Sequence, residues 1–234
     1  MPHQHTSKRF DAEMEAVRNL ILKMGGLVET QLNRADAILR SSESGSVEAI
    51  WAVEQQINEL QMQIDQSCSQ IITRRQPTAI DLRMVLTFEK TANELERVGD
   101  EAKKVAAKAA AIDGAISLNK VRIHDVSRMC EDARQLLQGA LDALVRLDVQ
   151  AAADVIARDD AIDAQFLAIM RQLISYMMED PRTISAALEI VFIAKSLERV
   201  GDHAKNIAEY VVHVVKGKDM RHASVAAIRQ EIGE

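Results

Sequence analysis

A six-residue segment, Leu-Glu-Arg-Val-Gly-Asp, occurs twice in the sequence, at residues 95–100 and again at residues 197–202. Each copy contains a glutamate and, four positions later, an aspartate. These acids are Glu96, Asp100, Glu198 and Asp202. Residues four apart lie on the same face of an α-helix, so both carboxylates of a copy are directed to one place. Paired carboxylates provide oxygen ligands for a hard cation, or they belong to a charged helix face exposed to water.

Two further segments of the chain correspond to these copies, one with a complete pair of acids and one with half of such a pair. Asp159 and Asp163 form one such pair. Glu54 begins another, but Asn58 stands where the second acid would be. On a helical wheel these acids fall in line with apolar residues, and a carboxylate on a packed face is costly to bury alone. Such positions need protons, cationic partners or a metal, and Fe³⁺, Mn²⁺, Mg²⁺ and Ca²⁺ prefer oxygen ligands.

Two lysines allow a different interpretation of the same acids. Lys103 and Lys205 each follow the aspartate of the repeated segment by three residues, a spacing that would neutralise it on a solvated helix face. A ferritin-like di-metal site would instead need Glu-x-x-His on two helices, and the sequence has no such pair. His203 is directed about 100° away from Asp202 on the helix, so a zinc site is not expected. The metal and the solvated-face interpretations both stay open at this point.

The other residues of the repeated segment have structural interpretations. Arg97 and Arg199 lie off the line of carboxylates, and we expect them to pair with acids on neighbouring helices. Gly99 and Gly201 stand in the middle of predicted helices, where glycine costs about 1 kcal/mol relative to alanine. Their presence in both copies indicates a close approach by the backbone of a neighbouring helix.

The elements that carry these acids are predicted to be long helices. Hydrophobic residues make up 47% of the chain and aromatic residues only 3%, and three prolines leave few turns. The second copy of the segment follows the first by 102 residues (95 to 197), and ten of fifteen positions match between residues 92–106 and 194–208. This is one unit of about 100 residues written twice. Short linkers make neighbouring helices antiparallel, so we predict an all-α fold of two tandem three-helix bundles.

Local signals set the predicted bounds of these elements. Serines and aspartates at 46, 117, 148 and 180 are expected to cap helices, and prolines at 77 and 181 precede the third helix of each bundle. The six predicted helices span about 9–40, 46–74, 78–111, 117–146, 148–179 and 181–216. The predicted domains are residues 8–112 and 117–217, followed by a tail at 218–234 with at most one short helix. Methionines are expected to fill the core, and they include Met14, Met24, Met84, Met129, Met170, Met177 and Met178.

Composition also excludes several classes of function. A net charge of −6 argues against general nucleic-acid binding, and no apolar run approaches the roughly 18 residues of a membrane span. The polar N-terminus does not resemble a secretory leader, and Cys68 and Cys130 are expected to be buried free thiols of a cytoplasmic protein. Catalytic triads, Walker A motifs and dinucleotide fingerprints are not found, so we expect no catalytic residue.

The chain resembles the PhoU family of phosphate-uptake regulators from about residue 8 to residue 222. The doubled motif is the most specific part of the resemblance. The matching stretches are residues 24–29, 75–83, 94–100, 170–173, 176–180, 196–202, 215–219 and 221–222. The resemblance implies two tandem three-helix bundles, often dimeric, that bind metal through Glu/Asp-x-x-x-Asp motifs.

The resemblance also implies a function in the cytoplasm. Proteins of this family are linked to PstB, the ATPase of the high-affinity phosphate transporter, and to the sensor histidine kinase PhoR. When phosphate is plentiful they keep the kinase from activating its regulator, which represses the phosphate-starvation genes of the Pho regulon and restrains phosphate uptake. The metal ligands implied for this chain are Glu54, Glu96, Asp100, Asp159, Asp163, Glu198 and Asp202. Because Asn58 replaces one acid, the second bundle is expected to bind metal more tightly.

Two other functions compete with a non-catalytic adaptor. One is a carboxylate-bridged metalloenzyme, an oxidase or a phosphatase, which would need an open coordination position and a cleft. The other is a structural helical bundle that binds no metal. The sequence shows no compact Arg/Lys cluster at a predicted helix start, so phosphate binding is expected only through a bridging metal, if at all.

Overall fold

The computed structural model describes residues 8–41, 47–112, 120–218, 220 and 225–233, and within these ranges the regular structure is entirely helical. The helices are α1 (Lys8–Ser41), α2 (Val47–Arg75), α3 (Ala79–Ala111), α4 (Lys120–Arg146), α5 (Val149–Glu179), α6 (Ile184–Lys216) and α7 (Val225–Ile232). The six long helices predicted from the sequence are confirmed. The tail contains one short helix, α7. In the described residues, every helix is too short or too polar to cross a membrane.

Local chemistry explains where several of these helices begin and end. The Asp148 carboxylate accepts hydrogen bonds from the backbone N–H groups of Gln150 and Ala151, so it caps α5 as predicted. Asp180 caps a single 3₁₀ turn, Pro181–Thr183, that leads into α6. Gly217 ends α6 in the left-handed region, with φ of 71°, where glycine is favoured. The predicted caps at 46 and 117 lie outside the described residues.

Helices α1–α3 pack together, α4–α6 pack together, and the two bundles meet mainly through α3 and α6, with α1 against α4. The apolar residues that surround α6 explain this contact, because one stripe faces its own bundle and a second faces α3. These buried residues include Leu197, Val200, Ile207, Val211 and Val214. The buried hydrophobic side chains of both bundles form one continuous core. The prediction that Met178 fills the core was wrong, because its side chain is 80% exposed near the end of α5.

Helices α3 and α6 cross in antiparallel orientation, and the repeat relates the two sides of their contact. Arg83 donates to the Val214 carbonyl at one end, and Lys108 pairs with Glu189 at the other. Between these ends, Glu94 meets His203. Moving along α3 by a number of residues towards its C-terminus moves the facing position on α6 by the same number of residues towards its N-terminus. The two copies of the repeated segment therefore face each other about a pseudo-twofold axis.

Candidate metal centres

Four carboxylates come together in the second bundle, two from α5 and two from α6. They are Asp159, Asp163, Glu198 and Asp202. Asp159 is only 1% exposed and Glu198 is largely buried, whereas Asp163 is half-buried and Asp202 is exposed on its outer side. Burial and the negative charges of the other three acids raise the pKa of Asp202. Burial, together with Asp159 and Glu198, raises the pKa of Asp163 in the same way. The four acids therefore repel one another within a single cluster.

Two lysines neutralise part of this second-bundle cluster. Lys205 donates to Asp159 Oδ2 at 2.9 Å, across the contact between α6 and α5. Lys195 donates to both carboxylate oxygens of Glu198 at 2.6 Å. The other oxygen of the buried Asp159, Oδ1, has no hydrogen-bond partner among the residues that the structure describes. A buried carboxylate oxygen without a donor is unfavourable unless a cation or proton satisfies it.

The first bundle contains a smaller cluster of three acids, Glu54 from α2 and Glu96 and Asp100 from α3. Lys103 hydrogen-bonds to Glu54 and donates to Asp100 at 3.1 Å, so one ammonium neutralises two carboxylates. Burial and the charges of Asp100 and Glu54 raise the pKa of Glu96. Asn58 is exposed, and this cluster contains no fourth acid to match Asp163. Two of these three carboxylates contact a lysine, against two of the four in the second cluster, and each cluster has two more carboxylates than ammonium groups.

The two mid-helix glycines make room for side chains of neighbouring helices. A Cβ on Gly201 would lie 3.0 Å from Asp159 Oδ1 and 3.3 Å from an Ile162 methyl group. A Cβ on Gly99 would lie 2.9 Å from the Gln31 side-chain oxygen. The prediction that the backbone of a neighbouring helix approaches these glycines was wrong, because side-chain atoms of the neighbouring helices occupy the space instead. Glycine at 201 therefore allows the Asp159 carboxylate to lie against α6.

The donor set of the second-bundle cluster fits a hard cation. All four side chains offer oxygen ligands, and burial together with mutual repulsion raises the pKa of two of the acids, Asp163 and Asp202. One of the carboxylate oxygens is buried without a hydrogen-bond partner in the described part of the chain. In the described ranges, however, no three His, Cys, Asp or Glu side chains lie in a geometry that could hold a metal ion as they stand. Two of the four carboxylates instead form ion pairs with separate lysines, Asp159 with Lys205 and Glu198 with Lys195. A metal at this cluster requires carboxylates to turn away from those lysines.

The contact between α3 and α6 contains a buried polar network that the sequence did not indicate. Glu94 interacts with His203 Nδ1 at 2.7 Å and accepts hydrogen bonds from Tyr210 at 2.7 Å and Asn206 at 3.3 Å. Burial opposes ionisation of Glu94, but these three partners outweigh it and lower its pKa. The only signal in the sequence was that acids and bases flank the repeated segment. His203 is thus engaged with α3, away from the Asp202 carboxylate.

Glu101 forms the second buried part of this contact. Its carboxylate accepts hydrogen bonds from Lys104 at 2.9 Å and from Arg199 at 3.3 Å. The expectation that Arg199 pairs with an acid across helices is confirmed. Arg97, its counterpart in the first copy, forms no such ion pair within the residues that the structure describes.

Comparison with known proteins identifies the family of this fold and site. The PhoU domain model matches the chain twice, at residues 21–109 and 126–211. The chain is 40% identical over 230 residues to the phosphate-specific transport system accessory protein PhoU homolog of Pseudomonas aeruginosa, covering 97% of this chain and 94% of that protein. It is 37% identical over 220 residues to the Escherichia coli accessory protein PhoU, covering 94% and 90% of the two chains.

Solved structures agree with these sequence matches. The crystal structure of PhoU from Pseudomonas aeruginosa superposes with a TM-score of 0.85 at 41% identity, covering 89% of this chain and all of that one. The phosphate transport system regulatory protein PhoU from Streptococcus pneumoniae superposes with a TM-score of 0.82 at 25% identity, covering 90% and 98%. Two matches to the domain model, relatives matched over nearly their whole length and the same helical architecture lead to one conclusion: the chain belongs to the PhoU family.

Proposed function

We propose that the chain is an accessory protein of phosphate transport that negatively regulates phosphate-starvation signalling and phosphate uptake. In this proposal it acts in the cytoplasm as an adaptor between the transporter ATPase PstB and the sensor histidine kinase PhoR. The support is the name shared by its relatives, phosphate-specific transport system accessory protein, over 90% or more of both chains. Long helical bundles also present extended faces to which partner proteins can bind.

The proposed adaptor binds a hard metal ion, Fe, Mn, Mg or Ca, through its carboxylate clusters. The single observation that carries this part is the unpartnered, buried Asp159 oxygen within a cluster of four acids. Asp159, Asp163, Glu198 and Asp202 would hold the ion in the second bundle. Glu54, Glu96 and Asp100 would hold one in the first. When bound, the ion supplies positive charge that relieves the repulsion among the carboxylates, and the chain acts without a catalytic step.

The proposal includes a homodimer. Apolar side chains are exposed on the second bundle, among them Leu167 and Ile174 on α5 and Phe192 on α6. Leu167 and Ile174 are seven residues apart and therefore lie on one face of α5, and an exposed apolar face is typical of surfaces that contact another protein. Sedimentation velocity at micromolar concentration should show a species of twice the chain mass, and a monomer alone would contradict this part.

A pull-down with the tagged chain tests the adaptor role. PstB and PhoR should be retained from extracts of cells grown in high phosphate, and a chelator should reduce their retention because it removes the metal. The variant Asp202→Ala should behave like the chelated protein, whereas Asp142→Ala, at an exposed site on α4, should behave like the wild type. Failure to retain either partner, in high and low phosphate alike, would reject the adaptor role.

A further inference from the structure

The arginines of the two repeated segments line one cleft between α3 and α6. The cleft has a volume of about 760 Å³, and Arg97 and Arg199 lie on its opposite helices. Asp100 of the first carboxylate cluster and Asp202 of the second line the same cleft. The antiparallel crossing therefore brings both metal-binding segments, 102 residues apart in sequence, to one cavity.

The charges in this cleft balance as long as every carboxylate is ionised. Its cations are Arg97, Lys104, Arg199 and Lys205, and its carboxylates are Asp100, Glu101, Asp202 and Glu209. An anion gains no net attraction from an equal number of opposite charges. A metal ion held by each cluster would cancel the charges of Asp100 and Asp202 and leave the cleft positive.

Both arginines have guanidinium groups available for a ligand. Arg97 is exposed and has no hydrogen bond or ion pair with any residue that the structure describes. Arg199 is 53% exposed, and its 3.3 Å contact with Glu101 is longer than the 2.9 Å contact that Lys104 makes with the same carboxylate. Arg199 can therefore leave Glu101 without removing the last partner of that acid. A planar guanidinium binds tetrahedral oxyanions through two parallel N–H donors.

We propose that this cleft binds a small tetrahedral oxyanion, inorganic phosphate, between Arg97 and Arg199 when metal ions occupy the two carboxylate clusters. This inference rests on the proposed metal binding and adds a ligand to it. Phosphate binding would then require both bundles to be loaded, because one aspartate from each lines the cavity. The sequence could not indicate this cluster of cations, since it comes from the middle of two distant helices.

Equilibrium dialysis against radiolabelled inorganic phosphate tests the proposal with the full chain. With Mn²⁺ present, phosphate should bind saturably, and a chelator should abolish the binding. The double variant Arg97→Met, Arg199→Met should raise the phosphate Kd at least about ten-fold, because it removes two charge-assisted contacts. The control Arg128→Met removes an exposed arginine from α4 and should leave the Kd unchanged.

Elemental analysis of the same dialysed samples measures the bound Mn²⁺ and so distinguishes a failure of phosphate binding from a failure of metal binding. Normal Mn²⁺ content without phosphate binding would overturn the cleft proposal and leave the metal proposal intact. Absence of bound Mn²⁺ would overturn both. Equal phosphate binding with Mn²⁺ and with chelator would overturn the metal dependence, and an equal loss in Arg128→Met would show that the anion binds elsewhere.

Discussion

Three lysines act as counter-ions to the carboxylates of the two clusters, and they do so unequally. In the first bundle Lys103 contacts both Glu54 and Asp100. In the second, Lys205 and Lys195 each contact one acid, which leaves two carboxylates without a lysine contact in the described ranges. Stabilising hydrogen bonds to carboxylates outweigh burial and raise the pKa of Lys103 and Lys205. A metal must compete with these ammonium groups in both bundles, but the second offers one carboxylate more, because Asn58 stands in the first where Asp163 stands in the second, and we expect the second to bind metal more tightly.

Substitution of the matching aspartates should reveal this inequality. Asp202→Ala removes an acid with no lysine partner, and we expect it to weaken Mn²⁺ binding by at least about ten-fold, the size of effect seen when a metal site loses one supporting interaction. Asp100→Ala should have a smaller effect on total binding, because its site already lacks the fourth acid. Isothermal titration calorimetry measures both, with Asp142→Ala as the control. A larger loss from Asp100→Ala would contradict the ranking.

The raised pKa of Asp202 predicts a gain in stability when its charge is removed. Since the pKa is higher in the folded than in the unfolded chain, ionised Asp202 opposes folding above the folded pKa. This penalty disappears as pH falls below the ordinary aspartate value of 3.8, because the acid is then protonated in both states. In the presence of chelator, Asp202→Asn should therefore be more stable than wild type at pH 7, by less than about 1 kcal/mol since solvent screens the group.

Urea unfolding at pH 7 and near pH 3 measures this difference. The gain should be present at the higher pH and absent at the lower one. Asp142→Asn serves as the control for a simple loss of surface charge. A stability loss at pH 7 in Asp202→Asn would show that the carboxylate is favourably paired without metal.

The antiparallel contact of α3 with α6 owes its register to buried polar groups as well as to apolar packing. Glu94 meets three partners from α6, and Glu101 meets Arg199 of the same helix. A shift of one helical turn would separate these acids from their donors and leave buried charges unpaired, which is strongly unfavourable. The apolar stripes alone tolerate such a shift more easily, because their contacts are not directional.

Glu94→Ala should destabilise the folded chain by about 1–3 kcal/mol, the cost of leaving buried donors without an acceptor. Because its pKa is lowered, Glu94 contributes fully above the ordinary glutamate value of 4.5, and the contribution is lost as pH falls through the folded value below it. Urea unfolding at pH 7 measures the loss, with Glu59→Ala at an exposed site on α2 as the control. Equal stability of the two variants would show that the network contributes nothing.

The sequence predicted the helices well and their side-chain partners poorly. Asp148, Pro181 and Gly217 act within a few residues, so they locate helix ends without knowledge of the fold. One of the two interpretations paired Lys205 with Asp202, three residues away, but Lys205 pairs with Asp159, 46 residues away. The pair of Glu94 with His203 spans 109 residues. Such pairs depend on the register between packed helices, which a single sequence does not specify.

The sequence predicted more about the carboxylate clusters than about these ion pairs. The spacing of four residues within a helix was enough to bring Glu198 beside Asp202, and the repeat was enough to expect two clusters. Asp202 is exposed and Asp159 is buried. The sequence could not predict this difference, because its pattern places both acids in line with apolar residues of a helix. What distinguishes them is the room that Gly201 leaves for one carboxylate.

At the scale of the whole molecule, one core joins the two bundles, and we expect them to unfold together. The buried apolar residues form one continuous cluster, and α3 against α6 is the most extensive helix pair. Domains joined by a large apolar interface behave as one cooperative unit. Damage to the core of either bundle should therefore weaken both.

Leu173→Ala tests this coupling from the far side of the second bundle. Leu173 is buried in α5, and its truncation should cost about 2–5 kcal/mol. Hydrogen exchange should show a similar fall in protection for the most protected amides of α2, in the first bundle, and of α5. Gln172→Ala, at an exposed polar site of the same helix, is the control. Unchanged protection in α2 would show that the bundles unfold independently.

The contacts between α3 and α6 obey a pseudo-twofold symmetry, and this symmetry bears on the origin of the molecule. Glu94 meets His203, and the residues one repeat away from each, Ser196 and Glu101, also meet. When two identical subunits meet across a twofold axis, each contact occurs twice, with the two residues exchanged between the subunits. An ancestor half as long would have buried this helix face against a second copy of itself. Duplication and fusion of such a gene would let the halves diverge, and the difference between Asn58 in one half and Asp163 in the other is a divergence of that kind.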